Sequence, residues 1–341
     1  MSTTIVYPDE MFTTTGMARL KKLRSQQFRP YRITDAILSN AEKADGGERF
    51  LIPWDVQEHS ITTQHVTGYE TVDMDVQTVL KPGTDTWFFC VSPVVWSWVD
   101  QAKNSGKNKV IDIWQTRVEN TEKRMRKEFE TQLLRGSVTG MSDLIPLNGV
   151  DFSTGIIEQD AVGSQANTIH NVAKSSYSSL VGFQNQVADI AGDFSANGLS
   201  ALRDMHTELQ EVTDDPVKLE GFCSLAGAKN YGTTVQSNER YIDSRDAVRL
   251  DVVIAGMRYK ISSLMPNAGT VTGSNDDEWS FLVLDHGAIK FHGLQGLVMD
   301  MTETRDVGGS HQVKAAFMRL AGQMGAHSFG STGLAYGGDT I

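Results

Sequence analysis

Cysteine is scarce in this chain, and neither a membrane-spanning nor a secretory segment is predicted in it. Its 341 residues include two cysteines, Cys90 and Cys223, each set among apolar residues. Two cysteines cannot form a disulfide framework, so we expect buried thiols in a protein of a reducing compartment. The longest apolar run, 88–99, is broken by Pro93 and is shorter than the about 20 residues of a membrane span. No basic segment followed by an apolar one opens the chain, so no signal peptide is predicted.

Positive charge is also in short supply. Lysine and arginine total 31 against 42 aspartates and glutamates, which gives a net charge of −11. A protein that grips duplex DNA over a broad surface needs clustered cations to neutralise phosphates, so this balance argues against that class. Hydrophobic residues make up 40% of the chain and occur along most of it, which excludes a wholly disordered protein.

The motifs of common enzyme classes are absent. GVDFSTG lacks the GxSxG spacing, and there is no Walker A loop, no GxGxxG turn after a strand and no HExxH helix. The eight histidines are scattered singly. His286 and His292 would share a face if both lay on one strand, but a pair at this spacing is a weak metal signal.

Two further groups of polar residues do not define a site. Asp73 and Asp75 alternate with apolar residues and are typical of the solvated face of a strand. His170, Ser175 and Asp189 are near one another in sequence, but geometry defines a catalytic triad. We therefore predict a structural protein, with no catalytic, cofactor-binding or metal-ligating residue. An enzyme whose site combines residues remote in sequence is the alternative.

The segment up to about Ala44 is basic. Within 14 residues it places six cations with no acid among them: Arg19, Lys21, Lys22, Arg24, Arg29 and Arg32. Its apolar residues are too few for a core. The pattern indicates either a solvated helix face or an arm that lies on a neighbouring subunit or a polyanion.

Residues 45–83 change to extended structure. HSITTQHVTGYETVDMDVQTVL is rich in Thr and Val, and VDMDV alternates apolar and acidic residues. Gly68 separates two such runs, which predicts a two-stranded ribbon. Because few of its residues are large and apolar, we expect the ribbon to project and to need a partner surface. An ordinary surface hairpin is the alternative.

A long helix is predicted over about 108–135, since this segment lacks Gly and Pro and Gly136 is placed to end it. Its apolar stripe comprises Val110, Trp114, Val118, Met125, Phe129 and Leu133. The other face offers four charge pairs at i,i+4 spacing: Glu119/Lys123, Glu122/Arg126, Arg124/Glu128 and Arg126/Glu130. No second heptad segment occurs, so a spine laid on a sheet is favoured over a coiled coil.

The remaining segments mix strands and helices. Strands are predicted at 85–100, at 249–265 with a break at Gly256, and at 279–301, and a second helix at 195–212. The run 311–329 fits either a strand or a helix. The glycine-rich tail, 330–341, is expected on the surface.

This order of elements resembles the major capsid proteins of tailed bacteriophages, which have the Hong Kong ninety-seven-type fold shared with bacterial encapsulins. Local segments are similar as well: LRSQQFRPYR in the arm, NSGKNKVIDIWQTRVENTEKRMRKEFETQLLRG through the long helix, STGIIEQD, and KSSYSSLVGFQNQVADIAG. The resemblance covers nearly the whole chain and implies an α+β fold. It implies four parts: an N-arm (1–44), an E-loop (45–84), a P-domain (85–145 and 292–341) with a spine helix at about 108–135, and an A-domain (146–291).

The resemblance implies a structural major capsid protein that self-assembles as hexamers and pentamers into an icosahedral shell around phage DNA. It implies no membrane, no cofactor and no sequence-specific DNA binding. The expected partners are a portal, possible decoration proteins and a separate scaffolding protein, since no scaffolding segment precedes the arm; earlier cleavage of such a segment is the alternative. The expected location is the virion, after assembly in the host bacterial cytoplasm. Lys81 is the one lysine in 45–84, but nothing marks partners for a cross-link. An encapsulin-type nanocompartment shell is the alternative.

Overall fold

The computed structural model describes residues 31–56, 68, 79–97, 99, 102, 113–135, 144–145, 147–149, 157–158, 168–177, 180–191, 194–213, 215–236, 252–265, 279–307 and 310–338. Several predictions fall on residues outside these ranges. They concern the start of the long helix at 108–112 with Val110, most of the ribbon beyond Val56 with Asp73 and Asp75, and the arm cations Arg19, Lys21, Lys22, Arg24 and Arg29.

Four α-helices are described: α1 (Arg32–Ser39), α2 (Ile113–Arg135), α3 (Leu199–Val212) and α4 (Leu225–Gln236). Short 3-10 turns occur at Lys174–Tyr177, Val181–Phe183 and Pro216–Lys218, and a π turn at Phe194–Gly198 leads into α3. In the described part of the chain, no helix combines the length and the apolar character needed to cross a membrane.

The described strands are β1 (Glu42–Ala44), β2 (Phe50–Asp55), β3 (Leu80–Asp85), β4 (Phe88–Ser97), β5 (Asn148–Gly149), β6 (Ile157–Glu158), β7 (Thr168–Ile169), β8 (Val172–Ala173), β9 (Gln186–Ala191), β10 (Leu219–Cys223), β11 (Val252–Ile254), β12 (Met257–Ile261), β13 (Trp279–Asp285), β14 (Ile289–Met301), β15 (Arg305–Val307), β16 (Ser310–Ala326) and β17 (Gly333–Gly338). Most of them belong to two sheets, one of five strands and one of six.

The five-stranded sheet is built around β16. Its order is β1-β14-β16-β15, and β4 pairs with β16 on the other side. β16 runs antiparallel to β14, β15 and β4. The run 311–329, for which both a strand and a helix were possible, therefore forms the central strand.

Helix α2 is the predicted spine, laid on this sheet. It ends at Arg135, as the position of Gly136 predicts. Met125, Phe129 and Leu133 are buried as expected, and the Phe129 ring centroid lies 5.3 Å from that of Phe291. Trp114 and Val118, from the same predicted stripe, are half-buried. The stripe therefore faces the core most fully in the second half of the helix.

The prediction that Glu130 lies on the exposed charged face of α2 is wrong. Glu130 is fully buried, and its carboxylate accepts hydrogen bonds from Thr34 N (3.1 Å) and Ser262 Oγ (2.7 Å). Arg126 instead forms ion pairs with Asp35 of α1 and, as predicted, with Glu122 at 2.8 Å. Spacing along one helix cannot show that α1 covers this side of it.

The six-stranded sheet has the order β11-β12-β10-β13-β17-β9. Helix α3 ends at Val212, as predicted, and packs Leu202, Met205 and Leu209 into the core of this sheet. The break at Gly256 is confirmed as the turn between β11 and β12, where Ala255 and Gly256 both have positive φ (50° and 82°).

The expected surface position of the tail is wrong for residues 333–338. They form β17, which lies inside the sheet between β13 and β9, with Leu334, Ala335 and Tyr336 buried. Glycine here permits close packing: a Cβ at Gly333 would lie 2.9 Å from side-chain atoms of Leu209 and Met205. Composition alone does not distinguish this use of glycine from its use in a loop. Residues 333–338 therefore belong to the six-stranded sheet and not to the five-stranded sheet that contains β14 and β16.

The base of the predicted ribbon is the antiparallel pair β2–β3, in which Phe50 lies opposite Asp85 and Asp55 opposite Leu80. The inner side chains Phe50, Ile52 and Trp54 are buried, and Trp54 Nε1 donates to the carbonyl of Ala326 at 2.8 Å. The ribbon is therefore anchored to the end of β16 by one face of its base. Gly68 has φ of 119°, a conformation that suits glycine.

Candidate assembly interface

The outer face of the ribbon base is apolar although it is exposed. Strand alternation puts Leu51, Pro53, Leu80 and Pro82 on the side opposite the buried residues, and we call these four the ribbon patch. Leu51 is 59% exposed and Leu80 is 61% exposed. The Pro53–Pro82 pair lies between the two leucines on this face, so the four residues form one exposed apolar area of the kind that marks a contact surface.

A second apolar surface lies on the five-stranded sheet. β4 buries Phe88 and Val94 beneath α2 and turns its odd-numbered side chains to the other face. That face carries what we call the sheet patch: Phe89, Val91, Pro93, Val95 and Phe317. Pro93 lies directly opposite Phe317 in the β4–β16 ladder, so the residues are contiguous across two strands.

The sheet patch has a polar border. Val91 lies opposite Arg319, whose guanidinium pairs with Asp300 at 2.6 Å. An apolar centre with charged residues at its rim is the usual anatomy of a protein–protein interface.

Proline removes one outward-facing N–H from each of the strands β2, β3 and β4, which border the two patches. Val56 N donates to Val79 O (3.0 Å), so by alternation Pro53 and Pro82 form a pair without ladder hydrogen bonds, and their backbones face outward. Pro93 is placed in the same way on β4, because its partner Phe317 exchanges hydrogen bonds with Thr302 on the far side of β16. Proline has no N–H, so these edges favour contact through side chains over addition of a strand.

The histidines considered as metal ligands are apart. His286 lies in the turn after β13, where its Nε2 is 2.9 Å from Glu220 Oε2, whereas His292 lies on β14 beside Glu42. The condition that both histidines lie on one strand is therefore not met. Among the described residues, no group of three or more His, Cys, Asp or Glu could hold a metal ion.

The other residues singled out in the sequence are also dispersed. His170 is buried in the turn between β7 and β8, while Ser175 lies in a 3-10 turn and Asp189 in β9. Cys223 is buried as expected, and burial raises the pKa of its thiol to about 12. Cys90 is half-buried on β4, and burial raises its pKa too. Lys81 is exposed on β3, opposite Trp54.

The two patches were missed in the sequence because an apolar run does not reveal which of its faces is covered. The segment 88–97 predicts a core strand whether one sheet face or two are buried. The available signal was the uninterrupted apolar character of a strand in an antiparallel sheet, where alternation with polar residues is usual.

Solved structures are similar to this chain over nearly its whole length. The capsid asymmetric unit of cyanophage A-1(L) matches with a TM-score of 0.64 and 10% identity, covering 96% of this chain and 98% of that chain. The capsid of the native GTA particle matches with a TM-score of 0.59 and 12% identity, covering 96% of each chain. The holo-SrpI encapsulin complex from Synechococcus elongatus PCC 7942 matches with a TM-score of 0.54 and 9% identity, covering 96% and 93%.

No family model matches the chain, and no curated protein matches it. The similarity is therefore one of fold, and it extends across phage, GTA and encapsulin shells. The spine helix on its five-stranded sheet, the six-stranded sheet and the ribbon base together confirm the expected architecture: the chain has the α+β, Hong Kong ninety-seven-type fold of tailed-phage major capsid proteins.

Proposed function

We propose that this protein is the major capsid protein of a tailed phage, which assembles as hexamers and pentamers into an icosahedral shell around the phage DNA. The observation that carries the proposal is the presence of two separate apolar patches on one chain. The ribbon patch and the sheet patch differ in residues and in position, and both are exposed in the isolated subunit.

Two different patches suit a heterologous contact between identical subunits. If the ribbon patch of one copy covers the sheet patch of the next, every subunit uses both surfaces, and a rotation that closes gives a ring. The solved relatives named above are subunits of assembled shells, which supports this kind of contact. The role assigned to the chain is structural, and no catalytic role is proposed.

The proposal includes the division into parts expected from the resemblance: N-arm, E-loop, P-domain and A-domain. In this division β2 and β3 belong to the E-loop and α2 to the P-domain. β17, which the sequence-based division put in the P-domain, is assigned to the A-domain because that strand joins the six-stranded sheet. The proposed partners are a scaffolding protein, a portal and possible decoration proteins. The proposed location is the virion, after assembly in the host cytoplasm.

Sedimentation of the full-length protein, with images of negatively stained particles, tests the proposal. We expect wild type to form pentamers, hexamers or shells. The variant Leu51→Ser with Leu80→Ser, and the variant Phe89→Ser with Phe317→Ser, should stay monomeric and folded, because each removes apolar area from one patch. Val217→Ser is the matched control, since Val217 is 90% exposed and belongs to neither patch.

Two results would contradict the proposal. If wild type remains a 37.5 kDa monomer at high concentration, with and without a scaffold partner, the protein does not form a shell and the proposal is wrong. Patch variants that assemble as well as the Val217→Ser control would show that the patches are not the contact surfaces.

An encapsulin-type shell is the second candidate, favoured by the similarity to the SrpI encapsulin complex. Packaged nucleic acid decides between the two. Particles made during infection should contain nuclease-protected phage DNA if the first proposal is right, whereas a protein cargo without DNA would favour the second.

A further inference from the structure

One carboxylate lies on the apolar outer face of the ribbon base. Strand alternation places Asp55 and Thr84 on this face together with the four residues of the ribbon patch. Asp55 lies directly opposite Leu80 in the β2–β3 ladder, and both residues are exposed. No cation pairs with Asp55 in the part of the chain that the structure describes. A partner surface that covers Leu80 therefore also covers Asp55.

Covering Asp55 requires a cation on the partner surface. A carboxylate that leaves water without a partner costs more free energy than the burial of one leucine side chain returns. The outer face of the ribbon base has no basic residue, and Lys81 lies on its inner face, opposite Trp54. The contact between the two patches is therefore favourable only if the sheet patch presents a positive charge to Asp55.

Such a charge lies at the border of the sheet patch. The ladders of β16 put Val95, Ala315 and Arg305 in one row across β4, β16 and β15. Ala315 is on the same face of β16 as Phe317, so Arg305 is on the face that carries the sheet patch. Arg305 is exposed, and within the described ranges no carboxylate pairs with it, although Glu303 is only two residues away in the chain.

Other cations on this face of the sheet already have partners. Arg319 of β16 pairs with Asp300 at 2.6 Å, and Lys290 of β14 pairs with Glu42. A carboxylate from a second copy would have to compete with Asp300 or Glu42 for these two cations. Arg305 presents no such competition, so it is the cation best placed to receive Asp55.

The spacing of the two patches matches. On either surface, successive side chains on one face of a strand are about 6.6 Å apart. Asp55 follows Pro53 by one such step, and the row that contains Arg305 follows the row of Phe317 by one step. If Pro53 lies on Phe317, Asp55 therefore reaches the row of Arg305. Neighbouring strands are about 4.8 Å apart, a distance that the arginine side chain spans.

We infer that Asp55 of one copy pairs with Arg305 of the next copy, and that this ion pair sets the register in which the ribbon patch lies on the sheet patch. The inference rests on the proposed function, since it needs two copies in contact. Apolar side chains alone tolerate a shift by one row, whereas a shifted contact leaves Asp55 covered without a cation. The pair therefore adds specificity to a contact whose affinity comes from apolar area.

Exchange of the two charges tests the pair. Sedimentation velocity of the full-length protein at low salt, with the scaffold partner if wild type needs it, measures the subunit concentration at which half of the protein is assembled. We expect Asp55→Arg and Arg305→Asp each to raise this concentration about tenfold or more, because each sets like charges against each other. The variant with both changes rebuilds the pair in the opposite sense and should recover most of the wild-type assembly.

Matched controls come from the exposed face of α3, outside both patches. Arg203→Asp and Asp204→Arg make the same charge changes there and should assemble as wild type, and circular dichroism checks the fold of every variant. Single variants that match these controls overturn the pair and leave the shell function in place. A double variant that assembles no better than the single variants does the same. Wild type that forms no particles contradicts the shell function, and with it the contact on which the pair depends.

Discussion

Glu130 joins three parts of the subunit through the two oxygens of one side chain. Its carboxylate binds Thr34 N in the first turn of α1 and the hydroxyl of Ser262, which follows β12. Helix α1 has no side-chain cap of its own, so a residue of α2 supplies the acceptor that an N-cap normally provides. The attachment of α1 therefore depends on the spine helix.

At the scale of this residue we predict a pH-dependent effect of Glu130→Gln. Burial raises the pKa of Glu130 above 4.5, although its hydrogen bonds to Ser262 and Thr34 oppose the shift. A carboxyl with a raised pKa contributes its full stability below the unfolded-state value and loses it as pH rises through the folded-state value. The neutral glutamine avoids that loss, so its melting temperature should rise relative to wild type as pH increases above 4.5. Thermal melts of both proteins across this pH range measure the effect, with the exposed Glu119→Gln as control. A difference in melting temperature between Glu130→Gln and wild type that does not change with pH would contradict the prediction.

At the scale of the element, the pairing of β14 with β16 depends on small residues at one point. Gly293 lies opposite Gly322, and a Cβ at Gly322 would lie 2.3 Å from the Phe291 ring and 2.6 Å from the carbonyl oxygen of His292. We predict that Gly322→Ala destabilises the subunit by about 1–3 kcal/mol through overpacking. Gly182→Ala is the matched control, since its Cβ would meet only Ser328 Oγ, at 3.5 Å. Urea unfolding measures the stability of the two variants. If Gly322→Ala is as stable as Gly182→Ala, the β14–β16 pairing accommodates the added methyl group and the prediction is wrong.

Elements that depend on local chemistry could be predicted from the sequence, and those that depend on distant partners could not. Gly136 marks the end of α2 and Gly256 the turn between β11 and β12, because each acts within a few residues. The burial of Glu130 depends on Thr34, 96 residues away, and that of β17 on the packing of Gly333 against α3. The candidate interface required knowledge of which face of β4 is covered, and that is a property of the assembled fold.

At the scale of the whole molecule, the basic arm remains the main concentration of positive charge in an acidic chain. We predict that replacing Lys21, Lys22 and Arg24 with glutamate slows or abolishes assembly at low salt and leaves subunit melting unchanged. The expected partner is an acidic face of a neighbouring subunit, an acidic scaffold or DNA, and such contacts are screened over about 10 Å at 0.1 M salt. Light scattering across a salt series measures the rate. An unchanged rate at low salt would instead favour a solvated helix face.

Proline at the strand edges affects how easily a wrongly placed subunit can dissociate. The residues concerned are the facing pair Pro53 and Pro82, and Pro93 on β4. Strand edges rich in N–H groups join other strands in many registers, and the resulting aggregates separate slowly. Edges interrupted by proline leave side-chain contacts as the main route between copies. Contacts of that kind are individually weak and dissociate quickly, so a misplaced subunit can leave and bind again before a neighbour traps it.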